Sequence, residues 1–521
     1  MLRWRNLAVA ACLVSGVVSL GGSAAQASST NSTFVYDTYT QVMTGWDPST
    51  SYSNEIIAMQ EMYETLTRYN AATKTVQPLL ATSWSSANGG KTWTFHLRSG
   101  VSFHDGKPLT ATAVKDSVMR TIQLNQGAAY VWGAVSSIAT PSPLTVVFHL
   151  KYAAPLDLIS SSDYGAYIYD TSVASAKGLA KWFVGHDAGT GPYEVNQYTP
   201  GAEVELTLKA YTKYWGGWKG NHYQQVVFRV TPTASTALQL AESGQVNFVE
   251  QLTPQLFKAA QGSSAVQTTN SSSWQNLIAF FNTAAGPMAN LNFRKAVAEA
   301  INYNGILAAL QGAGVRTSGI VPAGLVGYEP KGPEYNYNMT LAKKYLAKSP
   351  YAGKKVKLTL TYTQGDANEQ LASELIASEL SPLGITVSVE SLQWATQWAK
   401  AQNAKPANRQ DIFLMFWWPD YADPYSWFIN LYQTEKTPYF NLSYFSNATL
   451  DKQIGSVEQV LAVNKTAGAK LYDTMQNEIY ANAPTTTLYT AAYQRVLTAG
   501  ISGYVDNPAY PNVVFAYNLK P

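Results

Sequence analysis

The chain has a single cysteine, Cys12, among its 521 residues, and it lies in a stretch that reads as a removable leader. The mature chain then carries no thiol, which excludes disulfides, thiolate metal sites and a cysteine nucleophile. Histidine is nearly as scarce. All five (His96, His104, His149, His186 and His222) lie in the first half, and none forms a pair at metal-ligand spacing. His149 falls in an apolar strand pattern and reads as a core residue. His104, beside the Asp105-Gly106 turn, reads as a side chain bonded to backbone. Charged residues make up 13% of the chain, about half the usual quarter. With 36 Lys+Arg against 33 Asp+Glu, no basic surplus points to nucleic acid or to an anionic membrane. So few charges suit an acidic habitat, where fewer native carboxylates would have to protonate. After Leu20 no apolar run is long enough to span a membrane. A P-loop, a G-x-S-x-G elbow, an H-E-x-x-H pair and a complete G-x-G-x-x-G are all missing, and Gly189-Thr190-Gly191 is only a fragment of the last. Scattered carboxylates could still pair in space as a hydrolase couple. No activating arrangement is visible, however, and the chain reads as a non-enzyme.

What is present begins with export. Arg3 and Arg5 precede the apolar run Leu7 to Leu20, which leads to the small residues Ala25-Gln26-Ala27. A basic, an apolar and an A-x-A region in that order predict a signal peptide over 1–27, with cleavage after Ala27. Ser15, Gly16 and Ser19 interrupt the run, which is shorter than the ~20 apolar residues of a membrane anchor. Val9-Ala10-Ala11-Cys12 resembles a lipoprotein box, but Leu13 to Leu20 behind it stay apolar. The protein is expected outside the cytoplasm, in a periplasm or at the outer face of the membrane.

The rest is too long for one core and reads as a mixed α and β protein of two or more domains. Asn88-Gly89-Gly90 marks a hairpin turn, followed by alternating Trp93, Phe95 and Leu97. Thr110 is placed to cap a helix from Ala111 to Leu124. Thr145 to Leu150, Gly201 to Leu208 and Gln224 to Val230 read as strands. Thr233 to Ser243 reads as a helix with Gly244 at its C′ position. Asn292 to Leu310 has the spacing of one amphipathic helix. Val356 to Tyr362, Asn368 to Leu380 and Ile385 to Val389 read as strand, helix and strand, a βαβ unit with a parallel sheet. Asp411 to Trp418 is nearly continuously apolar, as in a strand covered on both faces. Helices are expected again at Asn447 to Val463 and Thr466 to Ala481.

Several segments, in this order, resemble the extracellular solute-binding proteins of ABC importers, in the class of oligopeptide, dipeptide and nickel binders (family 5). The longest is LATSWSSANGGKTWTFHLRSGVSFHDGKPLTATAV, Leu80 to Val114. Trp46-Asp47-Pro48 and MYETLTRYN lie upstream. Gly189-Thr190-Gly191-Pro192-Tyr193, Tyr214-Trp215-Gly216-Gly217, Phe281 to Thr283, FRKAVAEAIN and DYADP lie downstream. Asn247 and Asn302 stand where the class has an acid, and both read as structural. The resemblance implies the two-lobed periplasmic binding protein fold (type II, three-domain variant), with the ligand cleft between the lobes. Lobe I would comprise 28–65, 187–283 and 489–521, the extra domain of the class 66–186, and lobe II 284–488. The implied partners are a peptide or other small-molecule ligand and the permease subunits of the importer. The chain would work as a monomer, without nucleic acid, cofactor or metal.

FWWPDYADPYSWF, Phe416 to Phe428, follows the apolar strand, and ligands gather at the carboxyl ends of strands in open α/β sheets. That position nominates Trp417 to Asp420, Trp418 among them, and Tyr421 beside them is a further candidate. The two tryptophans alternate on the strand, so one should face the core and the other the cleft. The resemblance gives Asp420 the role of pairing with a peptide's α-ammonium. Asp423, ahead of Pro424, reads as a helix N-cap with Pro at N1. Ser51 and Tyr52, just after Asp47-Pro48, are the candidates on the opposite lobe. Trp394 and Trp398, four apart, could line the cleft, but their spacing reads first as a buried helical stripe. An oligosaccharide is the alternative ligand, since 14 Trp offer ample stacking surface.

Overall fold

The computed structural model describes residues 32–521; the leader, its cleavage point and Cys12 lie outside them. A long mixed sheet runs through two lobes. In order, its strands are Ile385–Leu392, Val356–Thr363, Ile412–Trp417, Val266–Phe281, Thr485–Thr498, Phe248–Val249, Thr33–Thr38, Gln225–Val230, Val204–Ala210 and Tyr193–Tyr198. The first three are mutually parallel, as are Phe248–Val249, Thr33–Thr38 and Gln225–Val230. Between these groups, Val266–Phe281 and Thr485–Thr498 run antiparallel to each other for most of their length. They are shared by both lobes: Asn276–Phe281 pairs with Ile412–Trp417, whereas Thr498–Gln494 pairs with 266–270 beside Phe248–Val249. Their register shifts between Ser272 and Asn276, where the sheet passes from one lobe to the other.

Local chemistry explains the elements. Asp366 accepts hydrogen bonds from the Asn368 and Glu369 amides, both at 2.9 Å, and so starts the helix Ala367–Leu380 that links the parallel strands Val356–Thr363 and Ile385–Leu392. The apolar run at 412–417 lies between Val356–Thr363 and Val266–Phe281, which accounts for its continuous hydrophobicity. A separate four-stranded antiparallel sheet consists of Ala81–Ala87, Thr92–Leu97, Thr145–Leu150 and Val135–Ser142. Its first hairpin turns on Asn88, Gly89 and Gly90 at φ of 53°, 62° and 82°. Thr110 caps Ala111–Leu124 by accepting from the Ala113 amide. Where residues 188–192 cross the backbone of residues 61 and 62, a Cβ on Gly189 or Gly191 would strike main-chain carbonyls, so glycine is required by close approach.

Two expectations need correction. The single helix over 292–310 is two, Leu291–Ala300 and Tyr303–Leu310. Asn302 interrupts it because its side chain accepts from the Gly305 amide and caps the second helix, which is also the structural role read for Asn302. His149 is exposed, not a core residue: in Thr145–Leu150 the buried positions are Val146, Phe148 and Leu150, and the two-residue period turns His149 outward. The His104 side chain, by contrast, is buried. Its Nε2 lies 2.9 Å from the Gly191 carbonyl and its Nδ1 pairs with Asp187. Asn247 is structural as expected, its Oδ1 accepting from the Val35 amide at 2.8 Å. Among the described residues no helix is long and apolar enough to cross a membrane.

Candidate functional site

A cavity of about 920 Å³ lies between the lobes, within the size range of small-molecule sites. One wall is formed by residues 39–41, 43–45, 50 and 52–55, the facing wall by Gln364, Gly365, Gln393, Trp394 and Trp398. It adjoins a smaller space of about 40 Å³ lined by Tyr164, Met415, Phe416, Trp417, Trp418, Asp420 and Phe440; Tyr52, Ser53, Trp394 and Trp398 line both. Segments distant in the chain meet around these spaces. The Tyr39 hydroxyl donates to Asp366 at 3.1 Å, the Asp163 amide to the Asp420 carbonyl at 2.9 Å, and the Gly127 amide to the Tyr439 hydroxyl at 3.3 Å.

The aromatic end is assembled from several elements. Trp394 and Trp398 lie one turn apart on the helix Trp394–Ala401, with ring centroids 5.1 Å apart. The buried stripe read for them is therefore incomplete: Trp398 is buried and Trp394 half-buried, and both face the cavity. Tyr52 comes from the other lobe and sets its ring 6.0 Å from Trp398 and 5.3 Å from Phe440. Glu55 holds that loop in shape, its carboxylate accepting from the Tyr52 and Ser53 amides at 2.7 and 3.0 Å and from the Thr44 hydroxyl. Trp417 stacks edge-on against Phe440 at 5.4 Å, and its Nε1 donates to Ser426. Both Trp417 and Trp418 border the small space. The strand ends at Trp417, so the alternation that would have separated the two stops there.

Asp420 is 7% exposed, and its Oδ2 accepts from the Tyr130 hydroxyl at 2.5 Å. Burial pushes its carboxyl up to about 7, against the opposing effect of the Tyr130 bond. Behind it lies Asp163, fully buried, its carboxyl held well above the usual range by burial and by the charge of Asp420. Tyr130, Asp163, Tyr439 and Phe440 carried no signal in the sequence, because only the tertiary fold brings them to the strand end. Tyr421 lies away from the cavity lining; it is buried, with its hydroxyl donating to Glu458 at 3.0 Å. Ser51 is buried beneath the loop, its hydroxyl without a hydrogen-bond partner, and it too is absent from the lining. Asp423 supports the helix one residue further out than expected. Pro424 is the N-cap of Tyr425–Leu431, and Asp423 accepts from the Tyr425 amide at 2.9 Å and the Tyr472 hydroxyl at 2.8 Å.

A buried acid and a ring of aromatics between two lobes joined by shared strands describe a cleft that encloses a ligand. Residues 75–439 match the family of bacterial extracellular solute-binding proteins, family 5 Middle. The chain belongs to this family. Among the relatives of this family 5 protein is the probable D,D-dipeptide-binding periplasmic protein DdpA of Escherichia coli, 27% identical over 477 residues and covering 90% of each chain. Its fold matches the dipeptide-binding protein of a Pseudoalteromonas species in complex with Met-Leu at a TM-score of 0.84, with 20% identity, over 94% of this chain and 99% of that one. It likewise matches the oligopeptide-binding protein AppA of Bacillus subtilis in complex with a nonapeptide at a TM-score of 0.83, with 18% identity, over 94% and 98%. The two-lobed periplasmic binding fold read from the sequence is thus the fold of this family 5 protein, and its place is outside the cytoplasm.

Proposed function

We propose that this chain is the substrate-binding component of an ABC importer. It captures a peptide by its α-ammonium at Asp420, closes over it and delivers it to the permease. The single observation that carries the reading is a buried carboxylate at the end of an aromatic-lined cavity between the lobes. A partly desolvated acid aimed at a cation makes a charge-assisted hydrogen bond of about 1.5–3 kcal/mol. The E. coli relative is described as a probable D,D-dipeptide binder, and two structural counterparts hold peptides. The lobe limits read from the sequence belong to the same proposal, as does a ligand returned unchanged rather than turned over.

Calorimetry with Asp420→Asn tests the reading. We expect affinity for a free-amine peptide to fall ~10- to 150-fold, the range set by one charge-assisted bond, with the melting temperature maintained. A neutral sugar stacked on Trp394, Trp398 and Trp417 would lose far less, and an unchanged affinity for peptide would overturn the proposal.

A further inference from the structure

The charges along the cavity are all of one sign. Its walls carry Glu55, Glu203 and Glu205, with Asp420 at the aromatic end, and no Lys, Arg or His among the described lining residues. The cations of the surrounding elements are committed elsewhere. Arg229 pairs with Glu203 at the rim. Lys400, on the same helix as Trp394 and Trp398, pairs with Glu390 at 2.5 Å. Arg120 pairs with Asp47. In the space behind Tyr39, Arg495 donates to the Glu250 carbonyl and to Asn512, both at 2.6 Å. Apart from these acids, what the cavity offers is uncharged: the rims of Tyr39 and Tyr52, the amides of Gln41, Asn54, Gln364 and Gln393, and the faces of two tryptophans.

A dipeptide carries an ammonium and a carboxylate a few ångströms apart. If Asp420 holds the ammonium, the carboxylate falls inside a cavity that has acids and no cation. There it loses its hydration without gaining a counter-charge, which is the costly way to bury an ion. An uncharged amide at the same point needs only hydrogen bonds, and the glutamine and asparagine side chains can supply them.

We infer that this cleft selects ligands having a free ammonium followed by uncharged amides, with no carboxylate inside the cavity. Two ligand types share that chemistry: a short peptide amide, and the first residues of a longer peptide whose C-terminus lies beyond the cavity. The inference rests on the ammonium reading of Asp420 and adds a rejection of free dipeptides, which that reading alone does not contain.

Native mass spectrometry at pH 7.5 separates the outcomes. The full-length mature protein is offered four equimolar mixed-sequence libraries: dipeptides, dipeptide amides, N-acetylated dipeptide amides and hexapeptides. We expect amides and hexapeptides to be captured at least tenfold more than free dipeptides, and Gln364→Arg, which places a cation on the wall, to narrow that gap. Preference for amides over hexapeptides identifies the short source, and the reverse identifies the long one. Capture of free dipeptides equal to that of their amides overturns this inference and leaves Asp420 untouched. Capture of the N-acetylated library equal to that of the amides overturns the Asp420 reading itself. Capture of none overturns both.

Discussion

At Asp420, one buried carboxyl is asked to meet a cation while held near neutrality by its surroundings. Burial raises it to about 7, Tyr130 donates to it, and Asp163 lies behind it without a cation beside either acid. A bound ammonium favours the ionised form, so binding must expel whatever proton Asp420 holds. We therefore expect affinity for a free-amine ligand to weaken as pH falls from 8 to 5, approaching tenfold per unit below about 6. Near pH 7, titrations in buffers of different ionisation heat should show net proton release. A dissociation constant indifferent to pH would contradict this, as would proton uptake.

At the scale of elements, opening and closing must be borne by the strands Val266–Phe281 and Thr485–Thr498, which alone among the long strands belong to both lobes. Beside them, the Tyr39 hydroxyl of one lobe reaches Asp366 at the start of a helix in the other. This bond exists only while the lobes are together, and such a bond is worth about 0.5–1.5 kcal/mol. Tyr39→Phe should therefore shift the unliganded protein toward the open form. Small-angle scattering should report a larger radius of gyration without ligand and an unchanged one with saturating ligand, whereas equal radii in both states would show that this bond plays no part in closure. The partner strands and the linking helix were legible in the sequence, because alternation, a continuous apolar run and a capping acid are local signals. The placement of Asp420 past the end of an apolar strand was legible for the same reason. Its partner Tyr130 was not, since 290 residues separate them and no local pattern records that contact. Tyr421 was misplaced by reasoning from a loop whose direction only the packing against Glu458 decides.

Over the whole molecule, the scarcity of charge read from the sequence takes a definite form, since many of the acids that remain are buried. Burial raises Asp37, Asp420 and Glu458 to about 7, Asp423 to about 6 and Glu61 to about 8. In the unfolded chain the same groups titrate near 4. Between roughly pH 4 and 8 the native state therefore binds more protons than the unfolded state, and linkage makes stability fall as pH rises through that window. This is the reverse of a protein whose carboxylates are held by cations. The unliganded protein should melt at a higher temperature at pH 5 than at pH 8. Glu61→Gln should flatten that slope, since Glu61 is buried against the Ala516 amide at 2.9 Å and lies outside the cavity lining. Differential scanning calorimetry across that range checks both. A melting temperature that climbs from pH 5 to pH 8 would mean that these acids are neutralised in the folded protein by contacts other than those described.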